Sequence, residues 1–244
     1  MKPVLQTRWM LTPREAMREQ ERLRERVILD DQFGSIRTVA GADLAFDPAT
    51  NVAFAGVIVY RFPELVEVER RMARRKLHFP YVPGLLSFRE SPVLLAAFAR
   101  LRTEPDLILI DGHGRAHPRL FGIACHLGVL LDKPTIGCAK SLLVGEHDEP
   151  GRRAGSSAPL DFHGERVGMV LRTRDHVKPI YVTTGHRVSL PSAVELVWQC
   201  LNGFRIPKPT READHYVRDM RRAYQRDLAP RNIPRANIQK GENL

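Results

Sequence analysis

The stretch DLILIDGHGRAHPRLFGIACHLGVLLDKPTIGCAK, Asp106–Lys140, decides how this chain folds. LILID is a short uninterrupted apolar run and reads as a strand buried on both faces. Arg119 to Leu131 reads as an apolar helix, and PTIGCAK as a second short buried strand. Upstream, Thr38 to Phe46, Val52 to Tyr60 and Leu65 to Leu77 have strand character. Turn-prone Asp47-Pro48 and Pro63-Glu64 separate them, which predicts an antiparallel meander. Between the meander and LILID, Ser91-Pro92 is a good cap and first-position pair for a helix over VLLAAFARLR. Three strands, helix, strand, helix, strand is an α/β order.

Outside this frame the signals are local. Thr12, Pro13 and Glu15 form a capping-box pattern that predicts an N-terminal helix rich in Arg and Glu, read as a solvated, salt-bridged surface. The segment from Glu146 to His163 is rich in Gly, Ser, Pro and charge and reads as an exposed loop. Arg166 to Thr173 and Ile180 to Thr184 are strand candidates. They lead to SLPSAVELVWQCLNG, where Ser192 and Glu195 suggest a capping box and Gly203 a helix end. From Ala229 onward there is no apolar periodicity, so residues 229–244 are expected to be a flexible basic tail behind a single catalytic domain spanning residues 1–228.

Composition narrows the classes. The chain has 244 residues with 43% hydrophobic content, enough for a sizeable core. A formal charge of +10 favours a polyanionic partner, although ribosome-associated and membrane-surface proteins share that balance. Cys125, Cys138 and Cys200 are odd in number and lack CxxC spacing, which argues against a disulfide framework or a thiolate zinc site. No run approaches the ~20 apolar residues of a membrane span, and MKPVLQTRWMLTPREAM lacks a signal-peptide core. A cytoplasmic protein with no membrane partner is expected.

Asp43 lies in TVAGADLAF and Asp111 ends DLILID; Glu90 immediately precedes the expected helix start, and Asp214 opens a basic amphipathic segment. Any one of these could be a turn or cap residue. Gathered at one sheet edge, their hard oxygens would suit Mg²⁺ or Mn²⁺, and the basic surroundings a phosphodiester. DGHGRAHPRLFG adds His113, Arg115, His117 and Arg119 beside Asp111. Its HxxxH spacing lacks the Glu of a zincin, and its Gly and Pro oppose the helix that spacing needs, so zinc is disfavoured. PYVPGLLSFRE holds Tyr81 between Pro80 and Pro83. This is either a packed loop or a wedge that inserts between bases, and the nearby charge favours the wedge. Lys140 reads equally as a solvated strand end or as a point charge facing phosphate.

VAGADLAFD, PYVPGLLSFRE, DGHGRAHPRLFGIACHLGVLLDKPTIGCAK, GHRVSLPSAVEL and PTREAD, taken in this order, closely resemble the motifs of endonuclease V, the deoxyinosine-directed repair nuclease. The resemblance spans about Val39 to Asp214. It implies a ribonuclease H-like fold, a central mixed β-sheet flanked by helices, and a metal set of Asp43, Glu90, Asp111 and Asp214. Active-site His and Lys fall on His117 and Lys140, and the wedge on Pro80, Tyr81, Val82 and Pro83. A pocket for the extruded base would involve Gly84, Leu86, Gly112, Ile123 and Gly137. The implied reaction uses water activated by Mg²⁺, with Mn²⁺ able to substitute. It cuts the second phosphodiester bond 3′ to deoxyinosine and leaves a 3′-hydroxyl and a 5′-phosphate. The fourth acidic position varies between Asp and His in the family, which leaves Asp214 and the adjacent His215 as alternatives. The partner is DNA containing deoxyinosine, and a monomer is expected. The competing readings are an inosine-directed ribonuclease, a non-catalytic nucleic-acid-binding module and, more distantly, a zinc hydrolase.

Overall fold

The computed structural model describes residues 1–228; the expected tail at 229–244 lies outside the described residues. One eight-stranded sheet organises the chain, in the order β3-β2-β1-β4-β5-β8-β7-β6. The expected meander is β1 (Thr38–Asp47), β2 (Val52–Arg61) and β3 (Val66–Lys76), paired antiparallel. LILI forms β4 (Leu107–Ile110) and TIGCA forms β5 (Thr135–Ala139), both parallel to β1. β6 (Ser157–Phe162), β7 (Glu165–Leu171) and β8 (Ile180–His186) then close the sheet antiparallel, making it mixed.

Alternation along the central strands sorts the core into two layers. Ala40, Ala42, Ile108 and Ile110 pack with α2 (Leu86–Phe98) and α3 (Ile123–Leu131). Val39, Leu107, Leu109 and Ile136 pack on the other face, with α4 (Leu190–Gln199) and Tyr216 of α5 (Lys208–Leu228). α1 (Pro13–Arg24) has the expected capping box: Thr12 accepts from the Glu15 N–H, and Glu15 from the Thr12 N–H at 2.7 Å.

Four local expectations are corrected. α2 begins at Leu86, not Ser91, and carries Pro92 inside it. Burying Leu85, Phe88, Val93 and Leu94 along one helix outweighs the backbone hydrogen bond that the proline removes, and Glu90 therefore sits within the helix. α3 begins at Ile123, because Gly122 is extended and the chain from His117 makes turns. The loop expected over 146–163 contains β6, whose Ala158 and Leu160 bury against Val167 and Val170. α4 is capped by Ser189, whose Oγ accepts from the Ser192 N–H at 3.4 Å, and Gly203 lies beyond its end. Among the described residues no helix is long and apolar enough to cross a membrane.

Candidate active site

Parallel pairing of β1 with β4 places Ala42 opposite Ile110, so Asp43 and Asp111 emerge together at the carboxyl ends of adjacent strands. The Asp111 N–H still reaches the Ala42 carbonyl, at 3.3 Å. Val39, Gly41 and Asp43 share the sheet face that α5 covers, and Asp214 is the seventh residue of α5. Glu90 approaches from α2, on the opposite layer. The four carboxylates thus converge on one edge between two helices.

Their electrostatics confirm the convergence. Burial, then the Asp111 and Asp214 charges, push Asp43 up to about 8. Burial pushes Glu90 up to about 7, with Asp111 adding to it. Asp111 is also raised by burial and by Asp214, against the pull of Lys140. The Lys140 ammonium forms an ion pair with Asp111; burial pulls its pKa down, but the surrounding carboxylates raise it overall. Asp214 pairs with Arg218 at 2.9 Å. Among the described residues no three His, Cys, Asp or Glu side chains already stand at one ion's ligand spacing. Lys140 and Arg218 instead hold two of the oxygens. Clustered carboxylates, half-buried and repelling one another, fit a hard divalent cation: it would neutralise more charge than one ammonium does.

This arrangement predicts a reversed pH dependence for the metal-free protein. An acid whose folded pKa is raised binds its proton more tightly folded than unfolded, so stability is greatest below the unfolded pKa of about 4 and falls as pH rises. For Glu90 and Asp43 the fall extends to about 7 and about 8. With chelator present, the melting temperature should drop by several degrees from pH 5 to pH 8, and added Mg²⁺ should restore more at pH 8 than at pH 5. A flat profile would contradict the cluster.

Beside the carboxylates opens a cavity of about 260 Å³. Tyr81, Val82 and Pro83 form one wall, Gly84, Leu86, Gly112 and Ile123 contribute to the others, and Glu90 and Asp111 belong to both cavity and acidic cluster. Tyr81 is 71% exposed at the mouth. Gly137 lies behind the wall in β5, where a Cβ would meet the Gly112 carbonyl at 2.6 Å. Ser141, Leu142 and Leu143 also line the cavity and escaped the sequence reading. The only signal there is an exposed pair of leucines following a buried strand.

His117 lines the cavity too, but holds its wall rather than facing the carboxylates. Burial, with Arg119 alongside, drops it to about 4, so the ring is neutral at pH 7. Its Nε2 donates to the Gly84 carbonyl at 3.0 Å and its Nδ1 accepts from the Arg119 N–H at 3.2 Å, an assignment that follows from the partners. Gln20 and Arg119 donate to the same carbonyl at 3.0 and 2.6 Å. Gly84 has φ +75°, a conformation that favours glycine, and this aims its carbonyl at all three donors. His113 donates through Nε2 to the Ser141 carbonyl, 2.9 Å away. His126 is fully buried behind the cavity against Ser87, at 3.0 Å.

The chain matches the model of a family described as Endonuclease V over residues 21–215. The chain belongs to the endonuclease V family. Endonuclease V from Roseiflexus castenholzii is 52% identical over 214 residues, covering 88% of this chain and 96% of the relative. Endonuclease V from a Nostoc species is 51% identical over 207 residues, 84% of this chain and 94% of the relative. The endonuclease V structure from Streptomyces avermitilis superposes with a TM-score of 0.85 at 41% identity, covering 92% of this chain and all of that one. Endonuclease V from Ciona intestinalis was solved with a 23mer DNA containing an inosine followed by a ribo-adenosine. It aligns with a TM-score of 0.75 at 28% identity, over 88% of this chain and all of that one. The fold is therefore ribonuclease H-like, and as a member of the endonuclease V family the protein is a metal-dependent nuclease.

Proposed function

We propose that this protein recognises deoxyinosine in DNA and hydrolyses the second phosphodiester bond on its 3′ side, leaving a 3′-hydroxyl and a 5′-phosphate. The observation that carries this reading is the shared wall: Glu90 and Asp111 border both the base-sized cavity and the acidic cluster. A base held in the cavity brings its own backbone to the carboxylates.

Asp43, Asp111, Glu90 and Asp214 would hold Mg²⁺, with Mn²⁺ able to replace it. A divalent ion held there would supply Lewis acidity, which lowers the pKa of a bound water from about 15.7 toward about 7. The residues do the rest. Tyr81, with Pro80, Val82 and Pro83, fills the gap left by the extruded base. Extrusion costs least for a poorly paired base, which favours a deaminated purine. Gly84, Leu86, Gly112 and Ile123 contact that base, with Gly137 supporting Gly112 from behind. Lys140, paired with Asp111 at the cluster, would offer its charge to the phosphate, where charge develops during displacement. His117, neutral, fixes the Gly84 carbonyl and so the wedge. Residues 1–228 act as one catalytic domain, as a monomer.

The test is a duplex carrying one deoxyinosine, end-labelled and incubated with Mg²⁺, beside an undamaged duplex and an inosine-containing RNA. One nick at the second bond 3′ to the lesion is expected in DNA. Faster cutting of the RNA would reassign the substrate, and tight binding without cutting would leave only a binding module. Tyr81→Ala should raise KM for the inosine duplex about tenfold, since one stacked base is worth ~1–3 kcal/mol, while half-maximal Mg²⁺ stays put. An equal change in both would count against the wedge.

A further inference from the structure

A second cavity, of about 390 Å³, lies between the end of β3 and the outer side of α2. Helix α2 divides it from the first: Leu86, Ser87 and Glu90 face the acidic site, while Phe88 and Arg89 line this one. The floor is aromatic. Phe79 and Phe88 pack at 5.8 Å between ring centres, and Trp9 meets Phe88 edge-on at 6.3 Å. The rim is cationic, carrying Arg75, Lys76 and Arg89, and no acidic side chain lines the cavity.

These cations differ from their neighbours on the same strand. Arg70 and Arg71 pair with Glu67 and Glu69. Arg75 and Lys76 make no ion pair among the described residues and are exposed. Arg89 is held in place, donating to the Phe79 carbonyl at 2.8 Å and to Asn51 Oδ1 at 3.1 Å. Trp9, half-buried above the packed Phe79 and Phe88 rings, offers stacking to any base, and the exposed Arg75 and Lys76 offer ion pairing to its phosphates. An acidic peptide would use the rim and leave the floor empty.

We propose that this cavity is a second nucleotide subsite, which takes an unpaired base of the bound nucleic acid against Trp9, backed by the buried Phe79 and Phe88, and its flanking phosphates on Arg75 and Lys76. The subsite rests on the nuclease reading of the first cavity and extends it. Phe79 stands two residues before Tyr81, so one continuous segment borders both subsites. A strand anchored here is held on the far side of α2 from the acidic cluster, which adds affinity that does not depend on the lesion.

The chain has two tryptophans, and Trp198→Phe leaves Trp9 as the sole indole reporter. In that background, undamaged oligothymidylate in Mg²⁺ buffer should quench Trp9 emission, and poly-aspartate at equal charge should not. Fluorescence anisotropy of labelled oligothymidylate reports binding independently. Arg75→Ala with Lys76→Ala should weaken that binding about tenfold and flatten the slope of log Kd against log salt by ~1.4, the loss of two single-strand phosphate contacts. Anisotropy showing binding while Trp9 emission stays constant overturns the subsite and leaves the nuclease reading standing. Equal quenching by poly-aspartate, or an unchanged salt slope in the double variant, also overturns it. No binding by either measure overturns the subsite, while the nuclease reading stands or falls separately on the deoxyinosine duplex.

Discussion

Asp43→Ala is expected to lower the rate of nicking at deoxyinosine by about a thousandfold or more, ~4 kcal/mol of barrier, while binding to the same duplex survives. The two outcomes separate because Asp43 supports the site and not the fold. Among the described residues its carboxylate makes one hydrogen bond, a local one, Oδ1 accepting from the Leu44 N–H at 2.7 Å. The two larger influences on its carboxyl are desolvation and the repulsion of Asp111, both of which raise the cost of its charge, with a smaller repulsion from Asp214. Removing it relieves the metal-free protein, so the melting temperature under chelator at pH 8 should stay level or rise. Mg²⁺ should then stabilise the variant less than the parent. Single-turnover cleavage, a gel-shift titration and a melting curve with and without Mg²⁺ read all three. Nicking within tenfold of the parent rate would remove Asp43 from the site. Loss of binding together with a lowered melting temperature would mean that the side chain holds structure after all.

How much of this was legible in the sequence depends on the range over which each signal acts. LILID and TIGCA read correctly as buried strands, because an unbroken apolar run of that length has few other uses. The carboxylates could be named one by one, but not their distances, because Asp43 and Asp111 meet only through the parallel register of β1 and β4. Ser91-Pro92 misled: the pair is a capping signal in isolation, yet the burial of Leu85 and Phe88 extends the helix through it and the Ser91 hydroxyl caps nothing. β6 hid because its alternation is short and sits between glycine, serine and charge. For His117 the motif implied an active-site place and no protonation state. Its neutrality follows from burial beside Arg119, and its partner Gly84 lies 33 residues away. Leu142 and Leu143 gave only exposure, which has meaning once Tyr81 and Ile123 are found across the same cavity.

Gly41→Ala should be the most disruptive single-methyl addition near the site, and its cost comes from a contact invisible in VAGAD. A Cβ at Gly41 would stand 2.0 Å from both the carbonyl carbon and oxygen of Pro209, the second residue of α5. Ordinary carbon contacts begin near ~3.5 Å, so one backbone must retreat by roughly 1.5 Å. β1 is pinned on both sides, by β2 and by β4, so the helix is the element that gives. Overpacking of this kind costs ~1–3 kcal/mol, which for a chain of this size lowers the melting temperature by several degrees. The functional loss should exceed that figure. Asp214 follows Pro209 by five residues in the same helix and moves with it, and a misplacement of ~1 Å in a reacting assembly can cost about 100-fold in rate. Nicking measured well below the melting transition should therefore fall about 100-fold in a protein that is still folded by circular dichroism. Gly34→Ala is the control, because a Cβ there meets nothing within 4 Å. If Gly41→Ala instead melts and nicks like the Gly34 variant, α5 does not seat on β1 as described, and Asp214 loses the packing that carries it to Asp43.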